Sequence, residues 1–138
     1  MIGIMLNKIH IVNVYLPHCS IYESQPGRLG RNICENDLNS ILDKMGKDDR
    51  VVVCGDMNDV YRSRDFDNQY SPTFRHSVVN MLDRGFVDIF ALRGKCFTTV
   101  SGRFDYMLKT KNIKTYGGKV FESFFGSDHK PILSICSI

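Results

Sequence analysis

The stretch Val51-Val52-Val53-Cys54-Gly55-Asp56-Met57-Asn58 decides the fold class. A short, continuous apolar run that is rich in β-branched residues and bounded by glycine is typical of a strand buried on both faces. The run leads straight into Gly55, followed by a carboxylate and an amide. Polar chemistry is therefore predicted at the end of a central strand.

Outward from this strand, apolar runs alternate with segments of helical periodicity. Helices are predicted over Asn32–Met45, with Ile33, Leu38, Ile41, Leu42 and Met45 on one face, and over Thr73–Asp83, with Val78, Val79 and Leu82 inward. The other strand candidates are Ile2–Leu6, Ile9–Leu16, Phe86–Phe90, Phe97–Val100, Phe104–Leu108, Val120–Phe124 and Ile132–Ile135. Asn7-Lys8 suits a hairpin turn between the first two strands. This order indicates a layered α/β architecture.

The composition is that of an ordinary globular domain. The chain has 138 residues, a formal charge of +3, 43% hydrophobic and 24% charged residues. These values exclude wholesale disorder and collagen-like repeats. No apolar run approaches the roughly 20 residues of a membrane span, and Met1–Leu6 lacks the flanks of a signal peptide. The charge alone is too small to indicate nucleic-acid binding, and no run of Lys and Arg forms a basic arm.

The cysteines indicate the compartment. There are five, an odd number, widely spaced and without a CxxC pair. This usage is typical of a reducing environment without a structural zinc site. An intracellular location, cytoplasmic or nuclear rather than secreted, is therefore expected.

Asp56 and Asn58 allow two interpretations. On an extended backbone, residues two apart point the same way, so both side chains would face one pocket. Alternatively, the pair forms an Asx turn that only closes the strand. The sequence leaves both open.

Two later segments carry further polar groups. In Gly102–Leu108, Arg103 and Asp105 alternate with aromatic residues, as in any strand with one polar face. In Gly126–Pro131, Asp128 precedes His129, and a carboxylate beside an imidazole suits acid–base chemistry near neutral pH. Each segment alone is most often structural, but together with residues 55–58 they suggest one active site.

Four motifs, taken in order, resemble the endonuclease/exonuclease/phosphatase superfamily of metal-dependent phosphodiesterases. They are Asn13–Pro17, Gly55–Asn58, Arg103–Tyr106 and Ser127–His129. The first and third are similar to the abasic-site and retroelement endonuclease branches. The resemblance implies part of a four-layer, DNase I-like α/β sandwich, with a mixed sheet and flanking helices.

The resemblance also implies roles for the site residues. His129 would contact the scissile phosphate or act as acid or base, with Asp105 orienting its imidazole. Asp56 would position or deprotonate the attacking water, while Asn58 and Tyr15 would hydrogen-bond the phosphate. The implied metal is Mg²⁺, with Mn²⁺ as an alternative, and the implied ligands are Asp56, Asn58 and Asp128. The residues implied in substrate binding are Arg103, Ser127 and Lys130.

Other candidates are weaker. His18 is an alternative site residue by its similarity to the secreted deoxyribonuclease branch, although Tyr15 fits the other pattern better. His10 and His76 are expected to be structural or solvent-facing. The basic residues Arg28, Arg31, Arg62, Arg64 and Lys130 could contact a phosphate backbone, but solubilising loop charges are the better interpretation of each taken alone.

The resemblance covers only the later part of the family's domain. Residues 1–138 are therefore expected to form a single domain that is incomplete at its N-terminal side. It would lack a metal-binding glutamate, which neither Glu23 nor Glu35 can replace by position. An uncovered apolar sheet face would then call for self-association or a second chain.

Several functions remain open at this point. The first is a nucleic-acid phosphodiesterase of endonuclease or exonuclease type, completed by a second copy or another chain. The others are an inactive fragment and a binding module that retains the scaffold. A phosphatase of inositol phosphates is a further alternative, but the Trp-Cys-Asp-Arg strand of that group is absent and the chain has no tryptophan.

Overall fold

The computed structural model describes residues 1–17, 25–59, 77–92 and 96–137, and for residues 25–28 it describes the backbone alone. Its elements, in chain order, are β1 (Ile2–Leu6), β2 (Ile9–Tyr15), α1 (Gln25–Asp43), β3 (Arg50–Asp56), α2 (Ser77–Asp83), β4 (Val87–Asp88), β5 (Asp105–Lys109), β6 (Thr115–Val120) and β7 (Ile132–Cys136).

The strands form a five-stranded sheet in the order β1-β2-β3-β5-β4 and a two-stranded sheet of β6 and β7. In the larger sheet β2 and β3 run parallel, and the other neighbours run antiparallel. The predicted α/β class with a mixed sheet and flanking helices is confirmed.

The predicted hairpin at Asn7-Lys8 is confirmed. β1 pairs antiparallel with β2 from Leu6↔Ile9 to Ile2↔Asn13. Both turn residues have positive φ, 48° and 66°. A two-residue turn of this kind has the twist that joins adjacent strands tightly, and asparagine tolerates it well.

One face of the five-stranded sheet carries the hydrophobic core. Alternate residues of β2, β3 and β5 point toward the helices because successive side chains of a strand lie on opposite faces. The core residues are Val12, Val14, Leu16, Leu38, Leu42, Val51, Val53, Met57, Val78, Met81, Tyr106 and Leu108. Among the described residues, no helix is long and apolar enough to cross a membrane.

The opposite face is much less covered. Ile2, Ile4 and Leu6 of β1 are 69%, 59% and 54% exposed. Val52 and Cys54 are only partly buried, so β3, predicted to be buried on both faces, is fully buried on one of them. In β7, Leu133 and Ile135 are exposed as well. Apolar letters alone could not distinguish a covered face from an uncovered one.

Two predicted strands are wrong for local reasons. In the predicted strand at residues 97–100, residues 98–100 form a bend. The Thr99 hydroxyl exchanges hydrogen bonds with the backbone of Gly102, which competes with strand pairing. The strand predicted at Val120–Phe124 lies earlier, at Thr115–Val120. Its pairing ends at Val120↔Ile132, next to Pro131, which has no N–H to extend the ladder.

The helices differ from the prediction in their bounds and faces. α1 begins at Gln25 rather than Asn32, and Ile33 is 52% exposed rather than part of the core. In α2 the buried apolar residues are Val78 and Met81, whereas Val79 and Leu82 are half-buried. The predicted start of this helix, residues 73–76, lies outside the described residues, as do His18, His76, Arg62 and Arg64.

Candidate active site

Gly55 allows β2 and β3 to approach each other just before the site. It has a φ of +128°, and a Cβ atom built there would lie 2.1 Å from the carbonyl oxygen of Val14. Any side chain would therefore push the two parallel strands apart. The glycine in the Gly55-Asp56 pair is explained by this contact.

Asp56 and Asn58 form an Asx turn. The backbone N–H of Asn58 donates to Asp56 Oδ1 at 2.9 Å, and its side-chain amide donates to Asp56 Oδ2 at 3.1 Å and to the Leu16 carbonyl at 2.9 Å. Asn58 has a φ of +43°, so the chain leaves the extended conformation here. The two side chains meet through the turn and not through the same-face spacing of a strand.

Three neighbouring strands present a row of side chains at the same level. The register pairs Tyr15 with Asp56 and Asp56 with Asp105, so these residues follow one another across β2, β3 and β5 on one face. His129, from the loop before β7, joins the row through a 2.8 Å hydrogen bond between its Nδ1 and Asp105 Oδ2. Asp56 and His129, which are 73 positions apart in the chain, thus lie close together.

Asp56, Asp105 and His129 form a compact cluster. One ligand atom of each lies within 4.8 Å of those of the other two, and all three side chains are half-buried. Two carboxylates and an imidazole at this spacing offer oxygen and nitrogen ligands to a divalent cation. The donor set fits the divalent metal that the resemblance implies: Asp105 and His129 join Asp56 in the cluster, and Asn58 is hydrogen-bonded to Asp56. Asp128, the other implied ligand, is exposed in the loop beside His129.

The pKa values of two groups reflect this proximity. Burial raises the pKa of Asp56, and the charges of Asp105 and Asp128 raise it further, against the hydrogen bond from the Asn58 N–H and the charge of His129. Burial lowers the pKa of His129, but the hydrogen bond and charge of Asp105 and the charges of Asp56 and Asp128 outweigh burial, so its pKa is raised. The cluster therefore favours a positive charge among its carboxylates.

The remaining predicted site residues surround this cluster at different depths. Tyr15 is 63% exposed at the edge of the row. Ser127 and Asp128 are exposed, and the Ser127 hydroxyl accepts a hydrogen bond from the His129 N–H at 3.1 Å. Lys130 is half-buried, its backbone N–H donates to the Thr98 carbonyl at 2.6 Å, and its Nζ lies 5.0 Å from the centre of the Phe124 ring.

Arg103 is not brought to the surface of the site. It is 1% exposed, and its guanidinium donates to both carboxylate oxygens of Asp88, at 2.7 and 2.9 Å. It also lies 4.3 Å from the centre of the Tyr106 ring. The substrate-binding role predicted for Arg103 has no support in this geometry, because the guanidinium is held by the interior.

Sequence reasoning missed Thr98 and underrated Arg31. The buried Thr98 hydroxyl accepts hydrogen bonds from the backbone N–H groups of Phe104 and Asp105, at 3.1 and 3.2 Å. Its carbonyl accepts from Lys130, so it joins both halves of the Asp105–His129 pair. A lone threonine carries no sequence signal for such a role. Arg31 was interpreted as a solubilising charge, yet it is 5% exposed.

Solved structures share this fold. Three of them are the 3′ phosphatase NExo from Neisseria bound to a product DNA hairpin (17% identity, TM-score 0.81), an AP endonuclease from Archaeoglobus fulgidus (17%, 0.83) and the 3′-5′ exonuclease NExo from Neisseria meningitidis (18%, 0.83). They match 99%, 99% and 96% of this chain, which spans only 64%, 64% and 63% of their lengths. The fold is thus the DNase I-like fold of nucleases and phosphatases.

The sequence identifies the family. The model of the Endonuclease/Exonuclease/phosphatase family matches residues 21–129, most of the chain. The chain therefore belongs to this family, as its motifs predicted. No curated protein matches the sequence.

Proposed function

We propose that this protein hydrolyses phosphodiester bonds of nucleic acid with the help of a divalent metal, Mg²⁺ or Mn²⁺. The observation that carries the proposal is the convergence of Asp56, Asp105 and His129 within 4.8 Å. Family membership and the nuclease fold of the similar structures support the same reaction class. The abasic-site or plain duplex substrates of endonucleases and exonucleases are the first to test.

In the proposed reaction His129 acts on the scissile phosphate, as a charged contact or as the proton donor. The hydrogen bond from its Nδ1 to Asp105 leaves Nε2 as the ring nitrogen for the substrate and supports the protonated imidazole. Asp56, whose pKa is raised, positions the attacking water and takes its proton. The Asn58 turn fixes that carboxylate, and the exposed hydroxyl of Tyr15 donates to a phosphate oxygen.

Asp56 and Asp105 form the inner carboxylates of the proposed metal site, and Asn58 and Asp128 are assigned around them. A bound Mg²⁺ would neutralise the negative charge of the phosphate and of these carboxylates. Ser127 and Lys130 are assigned to substrate contact because both lie next to His129 in the loop before β7. Arg103 is assigned instead to support Asp105 from the interior.

The proposed domain organisation is an incomplete unit that needs a second half, from the same protein, a second copy or another chain. The exposed side chains of Ile2, Ile4 and Leu6 support it, since they lie on the same face of the sheet as the site. An intracellular location is proposed on the free thiols of Cys34, Cys54 and Cys136 among the described residues. Size-exclusion chromatography tests whether the domain needs a second half. A stable monomer would contradict the proposal that an apolar sheet face is left uncovered.

The decisive experiment compares His129→Ala with His10→Ala on labelled duplex DNA with an abasic site, with Mg²⁺ and with EDTA. Loss of the acid–base group is expected to lower the cleavage rate about 10²- to 10⁴-fold. His10 lies in β2 away from the cluster, so its variant should retain the activity. Equal cleavage by both variants would remove the proposed mechanism.

The same preparations separate the alternatives. A binding module would associate with DNA in a salt-dependent manner, with or without EDTA, and would not cleave it. A phosphatase of inositol phosphates would release inorganic phosphate from those compounds and leave DNA intact. Either result would replace the nuclease proposal.

A further inference from the structure

Arg31 is a buried cation placed under the site. It lies in α1, one turn before Glu35, and only 5% of its surface is exposed. A guanidinium cannot lose its proton in a protein, so its burial requires partners for its donors. The structure supplies these partners from α1 itself and from three other segments.

The first set of partners consists of backbone carbonyls at the ends of two parallel strands. Arg31 Nη1 donates to the carbonyl oxygens of Pro17 and Asn58, both at 3.2 Å. Its Nη2 donates to the carbonyl of Met57, also at 3.2 Å. Pro17 follows β2 and Met57-Asn58 follow β3, so one side chain joins the two segments that carry Tyr15 and Asp56.

The second set of partners holds the guanidinium itself. Arg31 Nε donates to Glu35 Oε1 at 2.8 Å, and Nη2 donates to the Ser77 hydroxyl at 2.8 Å. The Ser77 hydroxyl in turn donates to Glu35 Oε1. Ser77 is the first residue of α2. The charge is thereby neutralised, and the fork of the guanidinium is fixed toward the turn at residues 57–58.

We propose that Arg31 is a positioning residue for the site, with Glu35 and Ser77 as its supports. It fixes the Met57 and Asn58 carbonyls, and through them the Asn58 turn that aims the Asp56 carboxylate. The role of Arg31 in catalysis rests on the proposed hydrolysis. Its effect on the turn at Asn58 does not depend on that proposal. Five acceptors receive hydrogen bonds from the planar guanidinium, which has five N–H groups, whereas a lysine ammonium has only three. Lysine therefore cannot replace this arginine although it keeps the charge beside Glu35.

The test compares Arg31→Lys with Arg84→Lys. Arg84 is the matched control, since it also pairs with a carboxylate, that of Asp43, at 2.7 Å, but at the exposed surface. Hydrogen exchange of the Asn58 backbone amide, followed by NMR in EDTA, reports the turn without catalysis. In Arg31→Lys we expect this exchange to accelerate about 10-fold or more relative to core amides such as Val53, with no change in Arg84→Lys.

With Mg²⁺ and DNA, Arg31→Lys should lower kcat about 10- to 100-fold and change KM little, because a small displacement of Asp56 affects the reacting geometry more than binding. Unchanged exchange at Asn58, or equal acceleration at Asn58 and Val53, would overturn the positioning role. The failure of the hydrolysis proposal would appear separately, as cleavage insensitive to His129→Ala while Asn58 exchange still responds to Arg31→Lys.

Discussion

Two pairs of opposite charge sit on either side of the short segment from Arg103 to Asp105. In the inner pair, the side chains of Arg103 and Asp88 are 2% and 1% exposed. In the outer pair, those of His129 and Asp105 are 30% and 16% exposed. The inner pair has two hydrogen bonds and aromatic rings around it, while the outer pair has one hydrogen bond and faces the site.

The difference shows how one short segment, at the start of β5, serves both stability and chemistry. A buried pair is costly to break because the remaining charge has neither water nor a partner. A half-exposed pair costs little to separate, so its imidazole can exchange protons and meet a ligand. The sequence predicts Arg103 and Asp105 as two polar residues on one strand face. In the structure Arg103 belongs to the buried pair that stabilises the fold, whereas Asp105 belongs to the pair that faces the site.

The largest expected effect comes from Asp88→Ala, which leaves the guanidinium of Arg103 buried without its carboxylate. We expect the free energy of unfolding to fall by about 3–5 kcal/mol, measured by urea denaturation. The double variant Asp88→Ala/Arg103→Met should lose less, since it leaves no buried charge. A loss in the single variant below about 1 kcal/mol would show that the inner pair is not a structural element.

A smaller effect is expected from Thr98→Val, which removes the hydroxyl acceptor between the two pairs. The N–H groups of Phe104 and Asp105 would lose their partner, at a cost of about 1–3 kcal/mol in the free energy of unfolding. Thr98→Ser retains the hydroxyl and is the matched control. If the serine variant were the less stable of the two, the methyl group and not the hydrogen bonds would explain the role of Thr98.

The smallest effect on stability is expected from Asp105→Asn in the outer pair, and it should depend on pH. Because the pKa of His129 is raised in the folded protein, the pair stabilises the fold below the unfolded-state pKa of 6.5 and loses this contribution as the pH rises through the folded-state value. The variant should therefore lose more stability at about pH 5.5 than at about pH 9.

NMR titration of the His129 ring in EDTA provides the direct measurement. Asp105→Asn should lower the pKa of this imidazole, because the hydrogen bond and the charge of Asp105 both raise it. Asp88→Ala, if folded at reduced temperature, should leave it nearly unchanged. An unchanged His129 pKa in Asp105→Asn would mean that the outer pair does not act as the structure indicates.

Much of the fold could be predicted from the sequence. The β-branched run at residues 51–54, the turn at Asn7-Lys8 and the helical spacing of Leu38 and Leu42 each depend on local patterns, and each prediction is confirmed. Predictions failed where a local bond or a neighbouring surface decided the outcome. Residues 97–100 do not form the predicted strand, because the Thr99 hydroxyl bonds to the backbone of Gly102. The exposure of the Ile135 side chain depends on whether another surface covers β7.

The candidate site divides in the same way. The motifs predicted the residue types and named Asp56, Asp105 and His129, because glycine before a carboxylate and aspartate before histidine are patterns of adjacent residues. Adjacency in the chain left open whether Asp56 and Asn58 form an Asx turn, and it could not indicate that Arg103 is turned into the interior. Nor could it indicate that Arg31 reaches three carbonyls across two strand ends.

By itself, then, the sequence determined the family, the strand-forming and helix-forming segments and the set of groups available for chemistry, since these depend on short-range backbone preference and on residue type. Only the tertiary structure decided which charges are buried, which are paired and which face the site. Those properties depend on parallel and antiparallel registers that bring residues 15, 56, 105 and 129 together. The energy of a charge depends on the groups around it in space, and the order of residues along the chain does not specify those groups.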